Sequence, residues 1–475
     1  MTDSENTPDG DVKSQTPYAY HLEYYSDDGV LRPEFVERIK QAVEERDANI
    51  LIALITPLHG SDLGEILSAV DPSTRKDLVE LAGNDFDFSA LTEVDESIRL
   101  EVVNALPNAK VALALDELDS DDAVYILEDM TAEDREEILG QMPFHESVRL
   151  RRSLEYPEET AGRRMQTEFV AVPPFWTIGQ SIDYLREADN LPDRFHEIYV
   201  VTPQFELIGS MDLDRLLKAK RNQNVSEIQN DTQHPIRANM DQEEAAQIFE
   251  KYDLLSAAVI DESNRLVGVM TIDDIVDVIH QEAEEDIRRM AGLGDEEISD
   301  KMLEAVKSRF SWLLINLATA ILASVVIGMF DATIDEMVAL AILMPIVASM
   351  GGNAGTQTMT VAVRALATRD IDIYNAGRVI LRELNIGVFN GLFFALIIGP
   401  VTALWFDNWG LGVVISIAML INMVSAAAAG IFIPLILDRL DIDPAIASSV
   451  FVTTITDIMG FAAFLGLAAL WLGLA

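Results

Sequence analysis

The pattern of apolar and polar positions changes abruptly near residue 310. Beyond it lie apolar runs of spanning length, which predict five membrane helices: about Phe310 to Phe330, Met337 to Leu366, Val379 to Phe406, Leu411 to Leu437 and Ala445 to Leu474. Before it the apolar positions come in short clusters separated by turn residues, and two stretches repeat. In Ser61 to Leu81 and Asp121 to Gln141, Ile66 matches Ile126, Leu67 matches Leu127, Arg75 matches Arg135 and Leu78 matches Ile138. Each copy reads as a helix, a cap and a second helix, with Asp71-Pro72 and Thr131 as the start signals. Stacked hairpins of this kind predict a small α-helical solenoid over residues 36–155, preceded by a disordered acidic tail over 1–35. Met1 to Gly29 is polar and acidic, so no secretory leader is expected.

Next comes a change to period-two alternation. Glu197 to Thr202 and Leu207 to Met211 form one strand pair, Leu255 to Ile260 and Leu266 to Asp274 another, each followed by an amphipathic helix. The arrangement resembles a tandem pair of CBS modules over residues 156–285. That resemblance implies adenine-nucleotide binding, with Thr271 and Asp274 on a ribose. The first module has Asp212 and Arg215 at the equivalent places and departs from the pattern. Packing modules without a ligand are the other reading.

Charge then separates the two halves. Residues from 301 onward hold 12 acids and 8 bases, net 8 − 12 = −4, so of the total charge of −45 residues 1–300 carry −45 + 4 = −41. Nucleic acid is excluded as a partner, because phosphate contacts need clustered Lys and Arg. Divalent cations are favoured, although a solvated acidic surface or a saline habitat also yields such a total. With no cysteine there are neither disulfides nor thiolate metal sites. Arg364, Arg369, Arg378 and Arg382 mark the loop after the second span as cytoplasmic by the positive-inside rule. The acidic half is then cytoplasmic and the C-terminus outside.

Two membrane motifs carry chemistry. Pro345 and Gly351-Gly352-Asn353-Ala-Gly355-Thr-Gln357 are expected to break the second span, and broken backbone at that depth must face protein or a water-filled path. Asp457 is an acid deep in the fifth span with no intramembrane base to pair with it. Asp443 before Pro444 lies at that helix's cytoplasmic start, where it is either an N-cap or the mouth of a path. The glycines and Asn353 serve close helix packing equally well.

With these motifs added, residues 36 to 475 resemble the MgtE family of magnesium channels and transporters. The resemblance implies a homodimer with its pore on the two-fold axis, five spans, a connecting plug helix over 286–308 and closure by intracellular Mg²⁺. It puts Asp457, Asp443 and the Thr453 carbonyl on the ion path, and makes Asn353 a support for the pore helix. Mg²⁺ keeps several waters, which suits a wide site of few carboxylates. Asp274, Asp277, Glu282, Glu285 and Asp286 repel one another at helical spacing unless cations bridge them to neighbouring acids. Passive entry gains about 4.6 kcal/mol per 100 mV for a divalent ion. Without an ATP-hydrolysing loop a pump is not expected, and the chain is not read as an enzyme. A secondary transporter of Co²⁺ or Zn²⁺ and a membrane-anchored nucleotide sensor are the rival readings, the former disfavoured by absent Cys and sparse His.

Overall fold

The computed structural model describes residues 24–26, 30–188, 191–192, 194–230, 234–293, 302–371, 375–440, 442–445 and 448–473. It divides into two compact units, residues 1–278 and 279–475.

The first unit begins with short helices: Pro33–Glu44, Ala48–Ile55, Gly60–Ala69, Pro72–Ala82, Glu96–Ala105, Asn108–Leu115, Ser120–Glu128, Ala132–Leu139 and Phe144–Leu154. Helices of this length are marginal alone and depend on a shared core. Leu51, Ile66, Leu67, Leu78, Leu91, Ile126, Leu127 and Ile138 supply it, each fully buried. Caps fix where the turns fall: Asp71 accepts from the amides of Ser73 and Thr74, and Thr131 from that of Asp134. Arg75 then ties its hairpin shut, donating from Nε to the Leu67 carbonyl at 2.6 Å and pairing with Glu101 at 2.8 Å. The expected tail is anchored rather than free where it is described. Tyr24 packs at a tilt against Phe35, and the Tyr25 hydroxyl donates to Asp62 at 2.6 Å, because two aromatic rings bury more area than a polar tail would.

Two three-stranded sheets follow. β1 (Ala171–Val172), β2 (Glu197–Val201) and β3 (Leu207–Asp212) form one; β4 (Ile236–Arg237), β5 (Ser256–Ile260) and β6 (Leu266–Thr271) form the other. In each the first pair is parallel and the second antiparallel. Tyr199, Val201, Ala258, Leu266 and Val269 join the two modules in one apolar cluster. The helical domain is clamped to them by polar contacts: Ser120 to Glu168 at 2.7 Å, Arg149 to Glu168 at 2.6 Å and Arg164 to Glu128 at 3.1 Å.

From β6 the chain enters a single connecting helix, Ile272–Met290. Its start differs from the expected plug boundary at 286, since Ile275 and Val278 already belong to the core of the second module. Residues 294–301 of the expected plug lie outside the described residues.

Among the described residues of the second unit, five helices are long and apolar enough to cross a membrane. They are Met302–Gly328, Ala339–Ala367, Ala376–Trp405, Trp409–Asp438 and Ser448–Leu472, with a short helix Asp331–Glu336 after the first. The fourth is the most buried and packs against the second, third and fifth. Small residues let these backbones approach, as helices do where no water drives them together. A Cβ on Gly387 would meet that of Ala427 at 2.6 Å, and one on Gly430 the Gly355 carbonyl at 2.6 Å.

The second span corrects one expectation. Pro345 and the glycines do not break it; Ala339–Ala367 is one helix with Pro345 inside. Its glycines are spent on helix contact instead. Gly351 abuts the Asn422 side chain, and a Cβ on Gly355 would sit 2.5 Å from Val452 Cγ1.

Candidate ion path and cytosolic acid sites

Helix packing brings the two membrane motifs together. A Cβ on Gly352 would lie 3.6 Å from the Thr453 methyl and one on Gly355 would meet Val452 and Thr456, so the second span lies along the fifth one turn before Asp457. Asn422, fully buried on the fourth span, locks the junction: its Nδ2 donates to the Val347 carbonyl at 2.8 Å, and Gly351 and Gly460 close on it from either side. Its Oδ1 is buried without a hydrogen bond. A lone Asn in an apolar run carries little signal by itself, which is why the sequence reading passed over it.

Burial within the chain splits the second-span signature into two faces. Gly351 and Gly355 are buried, whereas Pro345, Ser349, Asn353 and Gln357 are exposed, each four residues from the next. This spacing places them in one stripe along the helix. Leaving an amide unpaired in hydrocarbon costs about 2–7 kcal/mol, so a row containing two is not a lipid-facing surface. Asn353 therefore lies away from the helix packing it was expected to support, and with Gln357 forms a polar track. Asp457 is half-buried in the fifth span. The Thr453 side chain turns back on its own helix, donating to the Ser449 carbonyl at 2.8 Å, while its carbonyl accepts from Thr456 Oγ1 at 2.9 Å.

At the cytosolic end of that track sits a compact charge cluster. Asp443 Oδ1 accepts from the Ala445 amide at 2.7 Å, the turn expected of a capping Asp before Pro444; the helix itself is described from Ser448. Asp443 Oδ2 pairs with Arg289 of the connecting helix, and Arg289 also pairs with Glu285 one turn earlier. Asp286 lies beside them; burial, and then the charge of Asp443, push its carboxyl up to about 6. Thus Glu285, Asp286 and Asp443 meet. Asp277 and Glu282 stand elsewhere on the connecting helix, Asp277 exposed and Glu282 half-buried. Arg289 was missed in the sequence because it reads as one base after a run of acids.

A second cluster forms where the helical domain meets the second CBS module. Thr271 Oγ1 donates to Asp274 at 2.6 Å, the contact of the predicted ribose pair. Asp274 is also engaged by Asp121, whose carboxyl is raised well above its usual range by burial and then by the charge of Asp274. Burial and the Asp274 charge likewise push Asp122 up to about 7, and burial pushes Asp274 up to about 6. The further charges acting on Asp122 are Asp119, Glu93 and Asp273. Burial and the neighbouring acids thus favour the neutral form of Asp121 beside Asp274. In the first module Asp212 pairs loosely with Arg215 at 4.0 Å, so no Thr–Asp pair occurs there. Among the described residues no three His, Cys, Asp or Glu side chains converge in metal-ligating geometry.

Comparison with known proteins agrees with this division. Residues 344–467 match the model of a divalent cation transporter, MgtE; residues 58–159 match the MgtE intracellular N domain and 225–281 the CBS domain. The magnesium transporter MgtE of Bacillus subtilis is 30% identical over 417 residues, 88% of this chain and 92% of that protein. The chain belongs to the MgtE family. It is therefore a multi-pass membrane protein of a magnesium transporter family, not an enzyme, with its N-terminal domain in the cytosol. The MgtE of Enterococcus faecalis is 34% identical over 69% of this chain and 72% of its own length. Among solved structures, the chain is similar to the cytosolic domain of the Mg²⁺ channel MgtE in complex with ATP. They share 27% identity and a TM-score of 0.48 over 51% of this chain and 99% of that one. The helical N domain, CBS pair and transmembrane region of the family stand in the expected order. Mg²⁺ enters as the substrate rather than as a resident cofactor.

Proposed function

We propose that this protein conducts Mg²⁺ into the cell along a path between two copies of the chain, lined by the second and fifth spans, and that cytosolic Mg²⁺ closes it. The observation that carries this reading is the exposed stripe Ser349, Asn353 and Gln357 at membrane depth, beside the span that bears Asp457. A single chain leaves that stripe to lipid; a two-fold pairing turns it into a polar wall. Asp457 from each copy supplies charge to a hydrated ion, with the Thr453 carbonyl adjoining and Asp443 at the mouth. Two copies of a few oxygens suit an ion that keeps its water shell. Five candidate spans after a cytosolic N-terminal domain support a C-terminus on the outer side.

Closure follows from the acid clusters. Asp121, Asp122 and Asp274 at one, and Asp286 at the other, are pushed toward the neutral form by burial and by neighbouring acids. A divalent ion relieves both, so raising cytosolic Mg²⁺ favours the assembled, shut arrangement. Moving a population from mostly open to mostly closed takes about 5.5 kcal/mol, within reach of several weak sites acting together. Asp277 and Glu282 extend this set along the connecting helix. An adenine nucleotide held by Thr271 and Asp274 would draw on the same carboxylate as the seam, which makes nucleotide occupancy a modulator of closure.

Flux into liposomes bearing the purified protein tests the transport reading. Mg²⁺ entry driven by an inside-negative potential, independent of proton and sodium gradients and not displaced by Co²⁺ or Zn²⁺, is the expected result. Uptake that requires a coupling gradient, or that prefers Co²⁺ or Zn²⁺, would instead make the chain a secondary transporter.

A further inference from the structure

Resting on that gating reading, we propose that Arg289 is a tethered cation that occupies the membrane mouth when Mg²⁺ is scarce, and that a regulatory divalent ion must displace it. One guanidinium bridges Glu285 and Asp443, the two carboxylates that bring the connecting helix and the fifth-span turn together. Both oxygens of Asp443 are thereby engaged, Oδ2 by Arg289 and Oδ1 by the Ala445 amide. An ion approaching Asp443 must therefore compete with Arg289 for Oδ2 and with the Ala445 amide for Oδ1.

Packing holds the arginine in place. Met290, the next residue, inserts among Met359, Val363, Ala429, Ala445 and Val452 at the cytosolic end of the spans. Two residues on, Gly292 takes the left-handed conformation, φ +73°, against the Trp312 ring of the first span. A side chain at 292 would be strained there and would strike the indole, so the chain after Arg289 has one route. Counted as ionised, the cluster carries three acids and one base, a net charge of −2; with the arginine displaced the three acids present −3 to an entering divalent ion. A planar fork with two carboxylate partners is a strong competitor for that ion.

Competition has a definite sign. Removing the arginine leaves the same acids without their internal partner, so the ion binds more tightly and closes the pore at lower concentration. If Arg289 were only a latch holding the helix down, its loss would instead open the pore and raise the Mg²⁺ needed to shut it. Inside-out patches of the full-length protein, as parent, Arg289→Lys and Arg289→Gln, separate these. The half-inhibitory cytosolic Mg²⁺ of Arg289→Gln is expected to fall by at least about fivefold, the lower end of ordinary coupling between two sites, with Arg289→Lys close to the parent. An unchanged or raised value in Arg289→Gln, with the parent still inhibited, overturns the role of Arg289 and leaves gating intact. A parental current indifferent to cytosolic Mg²⁺ defeats the gating reading, and binding then decides on Arg289 alone. Free Mn²⁺ followed by electron paramagnetic resonance in the detergent-solubilised full chain should show tighter uptake in Arg289→Gln, lost again when Asp443→Asn is added. No gain in Mn²⁺ affinity would overturn the proposal.

Discussion

The two carboxylate clusters solve one problem in different ways. At the seam between the helical domain and the second CBS module, the strongest charges acting on Asp121 and Asp122 are all acids, which together with burial favour protonation. At the membrane mouth, Glu285 and Asp443 share a guanidinium on the same helix as Glu285. A proton is available only as pH falls, whereas a tethered arginine is available always. The comparison teaches that acid content alone does not define a cation sensor; what matters is whether the ion-free state already has a counterion, and of which kind. The seam should therefore respond to pH and to Mg²⁺ alike, whereas at the mouth the pH response is confined to Asp286, with its value of about 6.

The largest expected effect lies on the path both clusters control. Asp457→Ala removes the charge beside the polar stripe, and Mg²⁺ uptake into liposomes should drop to that of protein-free vesicles while the protein still inserts and folds. Parental flux from a well-folded Asp457→Ala protein would detach both clusters from the path assigned to them.

Next in size is charge removal at the seam. Asp121→Asn with Asp122→Asn keeps shape and hydrogen bonding but abolishes the repulsion. The ion-free protein should then resist proteolysis between the helical domain and the CBS pair as well as the parent does in millimolar Mg²⁺. Continued dependence of protection on Mg²⁺ in that variant would place the sensor elsewhere.

A smaller effect concerns pH. Folded-state values of about 7 for Asp122 and about 6 for Asp274 lie above those of an unfolded carboxylate. Their contribution to ion-free stability is therefore complete below the unfolded value near 4 and lost as pH rises through 6 to 7. Thermal unfolding of the full chain in chelator should show a melting temperature that declines over that window, and saturating Mg²⁺ should flatten it. A melting temperature that rises over the same window in chelator would contradict the burial of uncompensated acid at the seam.

The smallest is at the nucleotide pair. Thr271→Ala deletes a neutral hydrogen bond worth about 0.5–1.5 kcal/mol, so adenine-nucleotide affinity measured by calorimetry should weaken by roughly twofold to tenfold. A parent chain that binds no nucleotide would remove the modulator and leave the seam to Mg²⁺ alone.

Much of this was legible in the sequence for a physical reason. Spans announce themselves because lipid demands long apolar runs, and the predicted bounds fall within a few residues of the helices except at the start of the first, which begins at Met302 rather than Phe310. The repeat showed its caps at Asp71 and Thr131 because capping is local. β1 and β4 were missed, being two residues each, too short for alternation to register. The signature glycines were read as a break because glycine destabilises an isolated helix; here Asn422 and the fourth span compensate, and closeness of packing is what the glycines supply. The seam was out of reach, since Asp121 and Asp274 come together only through the docking of two domains. Arg289 was hidden for a similar reason: its partner Asp443 lies a whole membrane domain away in sequence.

One recording tests the central claim, closure by Mg²⁺ at cytosolic carboxylates, most directly: current through single-channel or macroscopic patches as millimolar Mg²⁺ is applied to the cytosolic face. It compares the parent with a variant in which Asp277, Glu282, Glu285 and Asp286 are all alanine. The parental current should shut, and the variant, which lacks these four carboxylates of the connecting helix for the ion to bridge to their neighbours, should keep conducting. A variant current that shuts at the parental Mg²⁺ concentration would contradict the account.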